Sequence, residues 1–256
     1  MRATIRTICL LVIVGSAAAE IARADLFNIR PRVPLSNGSE PTLQQVLDSI
    51  TPGGPGSIDA VEDQIDNAIF RSFGDDSAAR MVIELAGFAG KNTFGIYSFT
   101  NPSRRATIFN GAATSGDVAT IVFDDSGDVA VQVGGRATMF ADLFAPGGDH
   151  DFGFFMTTPQ HRAFFTEDSR NPLGRPQALI YQGDDRTQVN VAGNAQTFDS
   201  DDFIIAFEDL AYASSDRDFQ DMVVLVQSIM PVPAPGAAAL GVLGLCLAGW
   251  IRRRPG

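Results

Sequence analysis

Phe203-Ile204-Ile205-Ala206-Phe207-Glu208-Asp209-Leu210 and, beyond Ser215-Asp216-Arg217-Asp218-Phe219-Gln220-Asp221, the run Met222–Ile229 decide the fold class. Both runs are short, continuously apolar and rich in branched and aromatic residues. Such runs suit strands buried deep in a sandwich core. Working outward, similar segments recur at Met81–Ala86, Thr93–Phe99, Val118–Phe123, Val129–Val133, Phe152–Met156, Arg162–Thr166 and Ala178–Gln182. Turn chemistry separates them: Asn101-Pro102, Asn110-Gly111, Ser126-Gly127, Pro146-Gly147-Gly148 and Asp184-Asp185. Phe123-Asp124-Asp125-Ser126-Gly127-Asp128-Val129 reads as a hairpin turn. No segment of helical period lies between these strands. The sequence therefore predicts an all-β protein, an antiparallel β-sandwich or jelly-roll-like fold.

One or two short helices precede the strands. Leu43, Val46, Leu47 and Ile50 fall at i, i+3, i+4 and i+7, one face of a helix, after Ser39-Glu40-Pro41 as cap and early proline. Thr51-Pro52-Gly53-Gly54-Pro55-Gly56 stops it. A second, weaker helix is expected through Ile58–Ile69, and both read as packing elements. No internal repeat is apparent.

The 256 residues are 45% apolar and 19% charged, which excludes a disordered or collagen-like chain. The formal net charge is −11, and Asp25–Gly236 alone carries 13 basic against 29 acidic residues, a net of −16. That charge repels phosphate backbones, so no nucleic-acid partner is expected. The two cysteines, Cys9 and Cys246, both lie in terminal apolar runs. The body between them has no disulfide, thiolate metal site or cysteine nucleophile.

The ends read as addresses. Arg2 and Arg6 precede the apolar Ile8–Val14, and Ala22-Arg23-Ala24 offers a cleavage site before Asp25, with an alternative after Ala17-Ala18-Ala19. This is the pattern of a secretory signal peptide over residues 1–24. At the other end come Pro231-Val232-Pro233-Ala234-Pro235-Gly236, an apolar run Ala237–Ile251, and Arg252-Arg253-Arg254. The prolines make a stiff linker, and the arginines a basic stop. The 15-residue apolar run would be roughly 22 Å long as a helix against a ~30 Å hydrocarbon core. It is expected to form a short C-terminal transmembrane helix that anchors only transiently; a plain single-pass anchor is the other reading.

The order of proline motif, short apolar helix and arginine cluster resembles the PEP-CTERM sorting signal. The residues that carry the resemblance are Val232, Pro233, Ala234, Pro235, Arg252, Arg253 and Arg254, with Ala234 at the acidic position of the usual Val-Pro-Glu-Pro. It implies processing by an exosortase-type membrane enzyme and, as a further partner, envelope polysaccharide. A second resemblance covers residues 147–229. It rests on Asp151-Phe152-Gly153-Phe154-Phe155, Phe164-Phe165-Thr166-Glu167-Asp168, Asn171-Pro172, Ala178-Leu179-Ile180-Tyr181-Gln182-Gly183, and the two runs first quoted. These are similar to domain of unknown function 4114, a family of exported bacterial surface proteins and adhesins without an assigned reaction. The expected organisation is a signal peptide at 1–24, a helical or linker segment at 25–79, a β-sandwich at 80–230 and a sorting tail at 231–256.

The best candidate site is carboxylate-rich. Asp199, Asp201 and Asp202 precede one strand, Glu208 and Asp209 end it, and Asp216, Asp218 and Asp221 lead into the next. If the strands pair antiparallel, Glu208 and Asp209 meet Asp216 and Asp218, with Asp221 joining across a bend. Ca²⁺ takes six to eight oxygen ligands in flexible geometry, so Glu208, Asp209, Asp216, Asp218 and Asp221 are candidate Ca²⁺ ligands. A solvated acidic turn, partly neutralised by Arg217, is the competing reading. His150, beside Asp149 and Asp151, is a candidate ligand or base, or simply a hydrated side chain; His161 is a weaker one. Glu167 and Asp168 are adjacent on an expected strand and so would point oppositely, which bars them from flanking one glycosidic bond. Gly87-Phe88-Ala89-Gly90 reads as a turn between strands. No nucleophile elbow, zincin motif or P-loop occurs.

These readings describe an exported, non-enzymatic protein of the cell surface or extracellular matrix, anchored at the membrane transiently. A Ca²⁺-dependent lectin-like module or a carbohydrate-active enzyme is the alternative.

Overall fold

The computed structural model describes residues 32–36, 41–54, 57–66, 68–72, 76–84 (main chain only), 91–148 and 150–232. They belong to one unit, Pro31–Val232; residues 1–30 and 233–256 lie outside them. The expected signal peptide, Pro233, Ala234, Pro235, the C-terminal helix and Arg252–Arg254 therefore also lie outside. Among the described residues no helix is long and apolar enough to cross a membrane.

The described chain is built mostly of antiparallel β-structure. Its strands are β1 (Phe70–Ser72), β2 (Asp76–Glu84), β3 (Thr93–Ser98), β4 (Arg105–Phe109), β5 (Val118–Phe123), β6 (Val129–Val133), β7 (Arg136–Phe140) and β8 (Phe152–Thr157). They continue with β9 (Ala163–Phe165), β10 (Ala178–Gln182), β11 (Gln188–Val191), β12 (Asn194–Thr197), β13 (Phe203–Phe207), β14 (Met222–Gln227) and β15 (Ile229–Pro231). One sheet runs β15-β1-β8-β3-β4 with β9 on β8, the other β10-β13-β14-β2-β5-β6-β7; β11 and β12 form a separate ribbon.

Both sheets feed one core. Phe70, Phe94, Phe152 and Phe154 of the first meet Phe203, Ile205, Phe207, Val224 and Val226 of the second. Phe70 and Phe203 touch edge-to-face with centroids 5.0 Å apart, and Phe94 meets Phe207 at 6.2 Å. The opposite faces of β10, β13 and β14 are covered too. Leu179, Tyr181, Ile204, Ala206, Val223 and Leu225 pack with helix α1 (Leu43–Ile50) and with Val189, Val191, Phe198 and Phe219. This double cover explains why Phe203–Phe207 and Met222–Val226 show no alternation. A strand with water on one face would carry polar residues at every second position.

Helix α1 buries the expected four residues, but its cap differs from the expectation. Thr42, not Ser39, is the N-cap; its side chain accepts from Gln45 N while Gln45 Oε1 accepts from Thr42 N at 2.8 Å. That reciprocal pair satisfies two backbone donors at once. Ser39 itself lies outside the described residues. The second helix expected at Ile58–Ile69 does not form. Asp59 Oδ1 accepts from Val61 N and Glu62 N, closing a local turn. Gln64 then bridges to Tyr181, and Ile65 N donates to Ile180 O. Main-chain pairing to β10 overrides the weak helical pattern.

The expected strand Met222–Ile229 is two strands. Ser228 adopts φ 58°, a left-handed kink after which the chain leaves the second sheet and pairs with β1 in the first. Likewise Arg162–Thr166 contains only the short β9, and Glu167 and Asp168 lie on a 3₁₀ turn, not a strand. Strands β1, β4, β7, β11 and β12 go unannounced in the sequence. Their alternations are short or polar, as in Gln188–Val191 and Asn194–Thr197, and pairing alone defines them.

Tyr97 is fully buried opposite Gly153 in the β3–β8 ladder and donates to Glu167 Oε2 at 2.7 Å. Arg170 pairs with the same carboxylate and lies over the Tyr97 ring. A Cβ on Gly153 would run into the Tyr97 phenol. Gly153→Ala is expected to lower stability by about 1–3 kcal/mol, the usual cost of overpacking. An unchanged denaturant midpoint would show that Tyr97 is free to move aside.

Candidate metal centre

Strands β13 and β14 pair antiparallel from Phe203↔Val226 to Phe207↔Met222. The carboxylates that follow β13 and precede β14 are therefore brought to one end of the sheet. Gln177 fixes the start of the connecting loop. Its Nε2 donates to Glu208 O at 3.2 Å and Leu210 O at 2.7 Å, and its Oε1 accepts from Tyr212 N at 2.7 Å.

The returning segment is kinked twice. Arg217 and Phe219 adopt φ of 61° and 55°, left-handed conformations that cost a non-glycine residue roughly 1–2 kcal/mol each. The kink at Phe219 accompanies full burial of its ring in the outer cluster, which is worth about 1.5–3 kcal/mol. Asp216, Asp218, Gln220 and Asp221 flank these two kinks.

Two overlapping sets of carboxylates result. Ligand oxygens of Glu208, Asp216 and Asp218 lie within 4.8 Å of one another, as do those of Glu208, Asp209 and Asp221. Oxygens held by one Ca²⁺ at ~2.4 Å lie no more than about 5 Å apart, so either set has the dimensions for a metal ion. All five residues singled out from the sequence are thus assembled, with Glu208 common to both sets. Only Asp216 is exposed; Glu208, Asp209, Asp218 and Asp221 are buried.

The two sets differ in how their oxygens are satisfied. Asp221 Oδ2 accepts from Asp209 N at 2.7 Å, and Asp209 Oδ2 accepts from Asn92 Nδ2 at 3.2 Å. In the other set Asp218 Oδ2 accepts from Gln220 Nε2 at 2.7 Å, and Glu208 Oε1 from Leu210 N at 3.2 Å. Glu208 Oε2, Asp218 Oδ1 and Gln220 Oε1 are buried without a hydrogen-bond partner. Three such orphaned acceptors together are costly, since each forfeits its hydration. A cation held between Glu208, Asp216 and Asp218 would compensate the carboxylates among them. Gln220 and Asn92 carry no charge, and composition alone does not single them out.

Burial raises the carboxyls here. Asp221 is pushed well up by desolvation and then by the charges of Glu208 and Asp209. Glu208 rises by desolvation, with the charges of Asp216 and Asp218 adding to it. Asp218 is raised by desolvation too. Arg217 belongs to the competing reading of a solvated, partly neutralised turn. Its guanidinium lies 4.7 Å from the centroid of the Tyr212 ring, and it has no ion pair among the described residues.

The remaining candidates are dispersed. Asp202 sits at the opposite end of β13, buried, accepting from Gln196 Nε2 at 3.2 Å and Gln227 Nε2 at 3.3 Å. His150 stacks on Phe144 at 4.9 Å with Nε2 buried and unpartnered, and its neighbour Asp149 lies outside the described residues. Asp151 pairs with Arg71 at 2.7 Å. His161 occupies an exposed turn at φ 59°. Gly87–Gly90 lie outside the described residues.

No family model matches the chain, and no curated protein matches it. Among solved structures, a Bacillus licheniformis β-glucanase aligns over 67% of this chain and 56% of that one, with 8% identity and a TM-score of 0.16. A likeness this loose carries no argument about fold or activity.

Asp202 supplies a test of the electrostatics. Burial pushes its carboxyl up to about 6, above the ordinary value of 3.8. A raised folded-state pKa contributes stability below pH ~4 that is lost as pH rises through ~6. Asp202→Asn cannot titrate, so its melting temperature should gain on the parent's between pH 4 and 7. A difference constant across that range would show Asp202 to be solvated.

Proposed function

We propose that this chain is an exported, non-enzymatic surface or extracellular-matrix protein whose β-body is stabilised by a bound Ca²⁺. The observation that carries the cation is the meeting of Glu208, Asp216 and Asp218, whose ligand oxygens lie within 4.8 Å of one another, with Asp218 Oδ1 buried and unpartnered. Oxygen-only donors in irregular geometry suit Ca²⁺ better than Zn²⁺, which prefers nitrogen and sulfur, or Mg²⁺, which demands a near-ideal octahedron. Glu208, Asp218 and the exposed Asp216 supply the protein oxygens, and water reaches the site from the Asp216 side. The finer architecture we propose is a jelly-roll-like β-sandwich, supported by the single core that both sheets share.

Export and sorting rest on the ends of the sequence: the n-region, apolar run and Ala22-Arg23-Ala24 at one end, and Val232–Pro235 with Arg252–Arg254 at the other. Val232 is the last described residue, and its N–H donates to Ile69 O at 3.0 Å. Val232, the first residue of the proline motif, is therefore still tied to the edge of the first sheet.

Calcium at a hundredfold excess over its dissociation constant should stabilise the protein by about 2.7 kcal/mol, read as a rise in melting temperature over the chelated sample. Glu208→Gln and Asp218→Asn should fold and lose most of that rise. Superimposable melts with calcium and with excess chelator would remove the cation from this reading.

Fractionation of the native host tests the sorting part separately. The protein is expected in the envelope or medium, with mature ends near Asp25 and upstream of Arg252 by mass spectrometry. Full-length chain in the cytosol would overturn it.

A further inference from the structure

The second sheet extends past the first at one side. Strand β4 ends the first sheet, while β6 and β7 continue the second. The β6–β7 hairpin turns through Gly134 and Gly135, both at positive φ (55° and 79°), as a tight primed turn requires. Its register pairs Val129↔Phe140, Val131↔Thr138 and Val133↔Arg136. Val129 and Val131 are part of the shared core, so Phe140, Thr138 and Arg136 are on that same inward face. An inward face that reads Arg-Thr-Phe is not a core face. It borders a cleft of about 400 Å³ whose walls are Thr107, Ile108 and Asn110 on one side and β6–β7 on the other.

The chemistry of this cleft is specific. Among the described residues its lining contains no carboxylate, in a chain with 30 acidic residues. Among the described residues Arg136 is its single cation, with no ion pair or hydrogen bond. Thr107, Asn110 and Thr138 add neutral donors and acceptors, while Ile108, Val131 and half-buried Phe140 give an apolar floor. An unpaired guanidinium favours an anion, above all a carboxylate that it can grip with two parallel N–H groups. Hydroxyl and amide groups around an apolar floor suit a ligand with many hydroxyls and one C–H face. The volume lies at the small end of ligand pockets, room for one or two sugar rings. A peptide strand added to the β4 edge would bond main chain to main chain and give Arg136 no role.

We infer that this cleft binds a single uronate unit of a polysaccharide, Arg136 pairing with its carboxylate while Thr107, Asn110 and Thr138 bond its hydroxyls. A lining free of carboxylates among the described residues spares that unit the repulsion that the body's net charge exerts elsewhere. The ring's C–H face lies on Phe140. The site shares no residue with the carboxylate cluster, so it stands or falls separately from Ca²⁺ binding.

The test titrates purified full-length protein with tetragalacturonate by calorimetry at 50 mM salt. Calcium is omitted, because uronates bind it themselves, and a circular-dichroism melt shows that the titrated sample is folded. Saturable binding is expected, at least tenfold tighter than for uncharged maltotetraose and weakened by 0.5 M salt. Arg136→Ala, an exposed position, should bind at least tenfold more weakly with an unchanged melt, and Arg136→Lys should fall between. Absence of saturable binding, equal affinity in Arg136→Ala, or equal affinity for maltotetraose would overturn the proposal. So would equal affinity for a tetraglutamate peptide, which would show a general anion or peptide site.

Discussion

Two strands, β13 and β14, are apolar on both faces, and the rest of the molecule is arranged to keep water from both. On one face stand the phenylalanines of the first sheet; on the other stand α1, the β11–β12 ribbon and Phe219. Neither cover is dispensable. Exposing Ile204, Ala206, Val223 and Leu225 would forfeit roughly 25 cal/mol for every Å² of apolar surface left wet. The short N-terminal helix is thus a lid on the sheet, and Leu43, Val46, Leu47 and Ile50 form its inner surface.

The same constraint creates the carboxylate cluster. A chain leaving a doubly covered strand does not reach water at once, so Glu208 and Asp209 remain buried immediately after Phe207. The return path is held down by Phe219, which must reach the outer cluster, and its left-handed backbone accompanies the approach of Asp218 to Glu208, with Gln220 donating to Asp218. The packing of one phenylalanine therefore helps decide which oxygens meet. The contrast with Asp202 is instructive. It too is buried, at the far end of β13, but two glutamine amides donate to it, so its charge has partners within the protein.

A related tension appears at Tyr97 on the outside of the first sheet. Tyr97 lies across Gly153, its hydroxyl spends its proton on Glu167, and Arg170 neutralises that carboxylate. There the polar groups form a closed set. The Glu208 set is less complete: Leu210 N and Gln220 Nε2 donate to it, yet Asp218 Oδ1 and Gln220 Oε1 stay buried without a partner.

Near-neighbour chemistry in the sequence already determined the all-β character, the apolar runs that became β5, β6, β10 and β13, the buried face of α1, and the five carboxylates at the strand ends. These follow from residue type and spacing, which act over a few residues. Tertiary structure alone decided the rest. It cancelled the helix expected at Ile58–Ile69 by pairing that segment with β10, and it broke Met222–Ile229 at Ser228 so that the chain could change sheets. It drew in Gln220 and Asn92, and it set β7 at the end of the second sheet beside a cleft. Each of these depends on groups far apart in the chain, whose meeting is set by packing and pairing and leaves no mark on local periodicity.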